Sequence, residues 1–330
     1  MKCINKILAV IGSLCLLLGL CGCGAKEADL KNAYDVYGDT GGITAASSNA
    51  ANDSFTYFGQ NLCVGGQTNT VAEGIHSEVA GAAGVFNLSR REVTYAQNIY
   101  ERMYPASTTK ILTAYVVLLH GNLTDVVTVS EHAVDLPSDS SKCGLAAGDQ
   151  YTVQTLLYGL LLRSGNDAAI ALAEYISGSE EAFAELMNAE ALRMGATGSH
   201  FVNPHGLPDE DHYTTVYDLY LFLHHAMANE DFYRIFSASE YTAEYTKSDG
   251  TAATQEWSTT NQYRVANGET FPEGYTLVGG KTGTTGAAGH CLVLLSTNGA
   301  GESIISIVLK ADGKSDLYLL MNEIITGYGN

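Results

Sequence analysis

The apolar segments of this chain change period twice, and that ordering limits its fold more than any other feature. Strand-like runs at 82–86 and 93–96 flank the polar stretch 87–92, which predicts a hairpin. Pro105 then precedes a short polar stretch and the apolar run 111–119, the signature of a helix start. Residues 152–173 read as two helical segments around Ser164, 180–194 as an amphipathic helix closing at Gly195, and 217–228 as another helix. Strand character returns at 276–278, 290–295 and 304–309, the last two joined through Asn298-Gly299, and 314–325 is a final helix. Strands at both ends with a helical block between them predict an α/β (α+β) fold. It is an antiparallel sheet flanked by helices, with a helical insertion over about 120–235.

Charge narrows the partners. Among 330 residues there are 17 Lys+Arg against 36 Asp+Glu, a formal net charge of -19. No basic footprint for nucleic acid is present, and none is expected as a partner. Any site for an anion must therefore draw on a few individually placed lysines. The 46% hydrophobic content excludes a wholly disordered chain.

The first residues look like an address. Lys2 and Lys6 precede an apolar run, 7–20, of 14 residues, shorter than the roughly 20 that span a bilayer, so 1–22 reads as a signal peptide. Leu20-Cys21-Gly22-Cys23 resembles the lipobox of bacterial lipoproteins, with Cys23 as the lipidated residue; ordinary secretory cleavage is the alternative. Lipidation implies an extracytoplasmic chain anchored to the bacterial cell membrane. Residues 23–70, rich in Ala, Gly, Ser, Thr and Asn, are expected to form a flexible tether, and 71–330 the folded domain. Of seven cysteines, Cys63, Cys143 and Cys291 remain for that domain, so at most one disulfide can form among them.

Three short motifs carry chemistry. Ser107-x-x-Lys110 sets a hydroxyl and an amine one turn apart at a helix start, where unpaired N–H groups favour a developing oxyanion. A serine needs a base to become a nucleophile, and Lys110 serves only if burial or a second cation keeps its amine neutral. Ser164-Gly165-Asn166 interrupts two apolar segments, as a tight turn facing a cavity would. Lys281-Thr282-Gly283 falls where a strand is expected; lysine and threonine can bind a carboxylate, and glycine lets a substrate backbone lie along the edge. The N–H of Thr284 is positioned to serve as a second oxyanion donor.

Taken together, these motifs resemble those of the penicillin-binding, active-site-serine enzymes. The wording is most similar to the low-molecular-mass D-alanyl-D-alanine carboxypeptidases over roughly 78–325, including Asn203-Pro204-His205-Gly206-Leu207 and His212-Tyr213-Thr214-Thr215. The resemblance implies a β-lactamase/transpeptidase-like fold and a peptidoglycan stem peptide ending in D-Ala-D-Ala as substrate, with β-lactams as inhibitors. It implies Ser107, Lys110 and Ser164 as catalytic and Asn166, Lys281, Thr282 and Gly283 as substrate-binding. The N–H groups of Ser107 and Thr284 would form the oxyanion hole. The family's larger members carry a C-terminal β-domain and an amphipathic membrane helix, whereas this sequence stops at Asn330; the N-terminal lipid would replace that anchor.

Two rivals stay open at this level. A β-lactamase shares fold and motifs but needs a group that activates deacylating water, and Glu185-Leu186-Met187-Asn188 has the wrong spacing for one. A non-catalytic lipoprotein that only binds wall peptides is the other. No metal or other cofactor is expected. None of the nine histidines forms a His-Glu-x-x-His, and His205 and His212 read as turn and packing residues.

Overall fold

The computed structural model describes residues 73–330 continuously, together with 59, 61–66 and 68–70. Chain order runs β1 (Ala80–Asn87), β2 (Glu92–Gln97), α1 (Lys110–His120), β3 (Val126–Thr128), α2 (Glu131–Val134), β4 (Gln150–Thr152) and α3 (Val153–Tyr158). It continues with α4 (Asn166–Ser177), α5 (Glu180–Arg193), α6 (Val216–Ala226), α7 (Glu230–Phe236), β5 (Glu240–Thr246) and β6 (Ala252–Ser258). The last elements are β7 (Thr276–Thr285), β8 (Gly289–Thr297), β9 (Ser303–Ala311) and α8 (Lys314–Tyr328).

Five strands form an antiparallel sheet in the order β2-β1-β9-β8-β7. Its central strands are apolar at nearly every position because both faces are covered. Leu292, Leu294, Ile304 and Val308 pack with Leu317, Leu320, Met321 and Ile324 of α8 on one face. Their neighbours Val293, Leu295, Ile305, Ile307 and Leu309 turn to the other face, into a larger core shared with α1, α4 and α6. The result is a helix–sheet–helix sandwich whose edge strand, β7, carries Lys281-Thr282-Gly283.

Two expectations need correction. The helical block is not purely helical. Strands β3 and β4 join β5 and β6 in a second, four-stranded sheet of order β3-β4-β5-β6, built from segments nearly a hundred residues apart. The tether, expected over 23–70, also ends early. Its first part, the signal peptide and Cys23 lie outside the described residues, but Cys63 is fully buried. Its N–H donates to the Tyr220 hydroxyl at 2.7 Å, and its carbonyl accepts from Tyr217 Oη at 2.9 Å. A small apolar side chain between α6 and β1 makes this stretch part of the core. Cys63, Cys143 and Cys291 are all free thiols, each buried.

Candidate active site

The turn that holds Ser107 is wound tightly before α1 begins. Residues Ala106–Thr109 form a 3₁₀ turn with Pro105 at its start, so Ser107 precedes the α-helix rather than sitting within it. Ala106 adopts a left-handed φ of 48°, a conformation that costs a non-glycine residue about 1 kcal/mol or more. Neighbouring contacts hold it there. Thr109 Oγ1 lies 2.8 Å from the Ala106 carbonyl and 2.9 Å from His212 Nε2. Gly206, at φ 90°, packs so closely on that carbonyl that any side-chain carbon there would collide with it.

Lys110 Nζ lies 2.9 Å from Ser107 Oγ, 2.7 Å from Asn166 Oδ1 and 2.6 Å from the His205 carbonyl. The lysine is completely buried. Burial, seconded by the charge of Lys281, holds its ammonium well below the ordinary lysine range. A neutral amine has two N–H groups and one lone pair. Two carbonyl acceptors take the two N–H groups, which leaves the lone pair aimed at the Ser107 hydroxyl. Among the described residues, no carboxylate forms an ion pair with Lys110 or Lys281.

Ser164 faces the nucleophile from the next layer. A π-helical turn, Gly159–Arg163, follows α3, and Ser164 closes it in the left-handed region at φ 60°. Such turns and strained residues concentrate at functional sites. Lys281 Nζ donates to Ser164 Oγ at 2.8 Å and to the Thr282 carbonyl at 2.8 Å. Burial alone pushes Lys281 down to about 7, so near neutrality this amine can both give and take a proton. The Thr282 hydroxyl lies 2.6 Å from that of Thr260. Gly283 passes the nucleophile turn so closely that a side-chain carbon would sit 3.0 Å from the Ser107 N and the Pro105 carbonyl.

Two cavities meet at Ser107. One, of about 260 Å³, is lined by Ser107, Ser164, Thr260, Thr282, Gly283 and Thr284, with the first turn of α8 beyond. The other, of about 340 Å³, is bounded by Ser107, Asn166, Thr284, the segment 205–208 and the loop 137–141. The expected residues thus come together: Ser107 and Thr284 border both cavities, and Lys110 and Lys281 sit beneath them. The loop 137–141 forms a rim of the second cavity.

Three contributors escaped the motif reading. Thr260 belongs to no motif. His205 acts through its backbone carbonyl, to which side-chain chemistry is no guide. Asp167 is buried and gathers the N–H groups of Cys143, Gly144 and Leu145 at 2.8, 3.0 and 3.1 Å, tying the rim loop to α4. Its only signal was an acidic residue in the first turn of a helix.

A buried lysine on a serine, a second serine–lysine pair opposite, and a strand edge between them are the arrangement that an active-site-serine acyl-transfer centre requires. Residues 69–313 match the peptidase S11 family, described as D-alanyl-D-alanine carboxypeptidase, and the chain belongs to that family. It is 34% identical over 240 residues to the D-alanyl-D-alanine carboxypeptidase DacF of Bacillus subtilis, covering 69% of this chain and 57% of the relative. To DacC of Escherichia coli it is 36% identical over 226 residues, covering 65% and 52%. The chain thus spans little more than half the length of these curated relatives. The crystal structure of the Streptomyces K15 DD-transpeptidase superposes with a TM-score of 0.69 at 31% identity, covering 76% of this chain and 97% of that one.

Proposed function

We propose that this chain is a serine D,D-carboxypeptidase that removes the terminal D-alanine from peptidoglycan stem pentapeptides through an acyl-enzyme on Ser107. The observation that carries this reading is the Lys110 amine, fully buried, 2.9 Å from Ser107 Oγ, with its two other partners both carbonyl acceptors. Neutral Lys110 takes the Ser107 proton as Oγ attacks the penultimate D-Ala carbonyl. The N–H groups of Ser107 and Thr284 hold the oxyanion. As the C–N bond breaks, Ser164 protonates the departing amine and recovers a proton from Lys281; the proton that Lys110 took from Ser107 makes up that loss, so both lysines regain their starting states before water attacks. Asn166 orients the peptide, and the terminal carboxylate lies against Thr282 under the charge of Lys281. Water then hydrolyses the ester, and penicillins acylate the same serine.

A β-lactamase needs a group that activates deacylating water. Among the described residues lining the two cavities, the only carboxylate is Asp139, on the exposed rim. That favours a long-lived penicillin adduct. The test is D-alanine release from a D-Ala-D-Ala-ended pentapeptide, run beside labelling with a fluorescent penicillin. Release with lasting label is expected; penicillin turned over rapidly with no D-alanine released would sink the reading in favour of the β-lactamase.

The chain is further proposed to work outside the cytoplasmic membrane, held by lipid on Cys23. Support comes from the charged and apolar run of 1–22 and the Leu-Cys-Gly-Cys stretch. Mass spectrometry of the mature N-terminal peptide is expected to find a lipid-modified Cys23. An unmodified N-terminus produced by cleavage elsewhere would reject it.

A further inference from the structure

One carboxylate beneath the second cavity is used by neither the nucleophile nor its base. Glu180 is the first residue of α5, just after the N-cap Ser179, and its two oxygens are divided between two imidazoles. Oε1 lies 3.0 Å from His132 Nε2, and Oε2 lies 3.2 Å from His205 Nε2. His205 is fixed on its other side as well, because its Nδ1 accepts from the Leu207 N–H at 3.1 Å. The proton of its neutral ring therefore sits on Nε2 and points at Glu180. The same residue presents its backbone carbonyl to Lys110 Nζ at 2.6 Å.

The second imidazole leads to the opposite wall. His132 lies on α2, the helix that runs directly into the rim loop, while His205 opens the segment 205–208. One carboxylate therefore holds the segment 205–208 through a buried imidazole and touches the helix before the rim loop through an exposed one. Burial works against the Glu180 charge, but the bonds to His205 and His132 outweigh it and hold the carboxyl below its ordinary range. His205 is pushed down by burial, against the pull of Glu180 and with that of Lys110, and stays neutral. The titratable groups facing Glu180 and Lys110 are His132 from α2, His205 with His212 from the segment before α6, Lys281 from β7, Asp167 from α4 and Cys143 from the loop before β4.

We infer that Glu180 is a positioning residue for acylation: it orients the His205 carbonyl that receives Lys110 and, through His132, sets the spacing of the cleft walls. The inference rests on Lys110 being the base. Removing the negative charge and loosening the carbonyl both make the Lys110 ammonium less stable, so both lower the pH at which that amine becomes neutral.

The experiment is the pH profile of penicillin acylation for the intact domain and its variants, with peptide kinetics alongside. Glu180→Gln is expected to lower the plateau about tenfold, the equivalent of ~1.4 kcal/mol, and to move the acidic limb to lower pH. Glu180→Asp, which keeps the charge, should hold the limb in place. His132→Ala frees one Glu180 oxygen but leaves the His205 bond, and should raise KM for the peptide more than it lowers kcat. A labelled wild type beside a Glu180→Gln profile identical in level and limb overturns this inference alone. A wild type that takes no penicillin overturns it together with the assignment of the base. Should Glu180→Gln fail to fold, an unchanged KM in His132→Ala is the refuting result.

Discussion

Ser107→Ala is expected to take penicillin acylation below detection, and adding Lys110→Met to it is expected to cost nothing more. The two side chains form one device. Ser107 Oγ has its closest polar partner in Lys110 Nζ at 2.9 Å, and the amine has no other hydroxyl to deprotonate. Groups that act as a unit are grossly non-additive, so the second deletion removes a base whose acid is already gone. Lys110→Met alone should retain a residue of activity, because the oxyanion donors and the nucleophile survive; general-base contributions run from about 10²- to 10⁴-fold. Intact-mass measurement of the acylation rate for both singles and the double checks this. A covalent adduct on Ser107→Ala would remove the serine from its role, and a Lys110→Met acylation rate equal to that of the wild type would remove Lys110 from the role of base. Ser107→Ala should also leave the fold unharmed, since its hydroxyl supports no other element.

The same geometry explains what could be read from sequence. Ser107, Lys110, Ser164, Asn166 and Lys281 could be picked out because they stand at short, fixed spacings on elements with clear periodicity, and the fold brings their side chains together. The five-stranded sheet was legible for a related reason. Runs such as 292–295 and 304–309, the latter broken only by Ser306, are apolar because they are buried on both faces. The second sheet had no such signal. Strands β3 and β4 are three residues each, and β5 and β6 are exposed at every other position or more often. Their pairing joins Gln150 to Thr246 across the whole helical block, a contact that local pattern does not encode. Cys63 was absorbed into an apparently featureless stretch because one small buried side chain makes no period.

The site shows the same division. Backbone groups and shapes were invisible. The His205 carbonyl on Lys110, the Gly206 contact with Ala106 and the left-handed Ser164 depend on tertiary placement and not on residue type. Asp167 is intermediate. One oxygen accepts from the Ala168 N–H in its own helix, but both also reach across to the N–H groups of 143–145, a distant contact that residue type does not encode. The side chains that meet at the site could be picked out in sequence; the groups that hold them could not.

Lys281→Met is expected to make the protein less active and more stable at once. The amine is almost fully buried without a carboxylate partner, and its descent from 10.5 to about 7 corresponds to a penalty on the order of 5 kcal/mol for holding it charged in the fold. Methionine fills a similar volume and removes that penalty. It forfeits two hydrogen bonds, to Ser164 Oγ and the Thr282 carbonyl, worth about 1 kcal/mol each. The net gain should be roughly 2–3 kcal/mol, a rise of roughly 5 °C or more in Tm. The pH dependence follows from linkage. The folded value lies below the unfolded one, so the folded state binds fewer protons between about 7 and 10.5, and wild-type stability rises with pH across that window. The penalty is complete below about 7 and gone above 10.5, so the advantage of Lys281→Met should be largest at pH 6.5 and fade on approach to pH 10.5. Tyrosines that titrate in the same range are common to both proteins and cancel in the difference. Thermal unfolding of the pair between pH 6.5 and about 10 measures this. A Tm difference independent of pH would show that Lys281 is not a destabilised buried ammonium, and unchanged kcat/KM would remove it from substrate capture. If both shifts occur, the stability this fold gives up at β7 is the condition for having a proton and a positive charge beside Ser164.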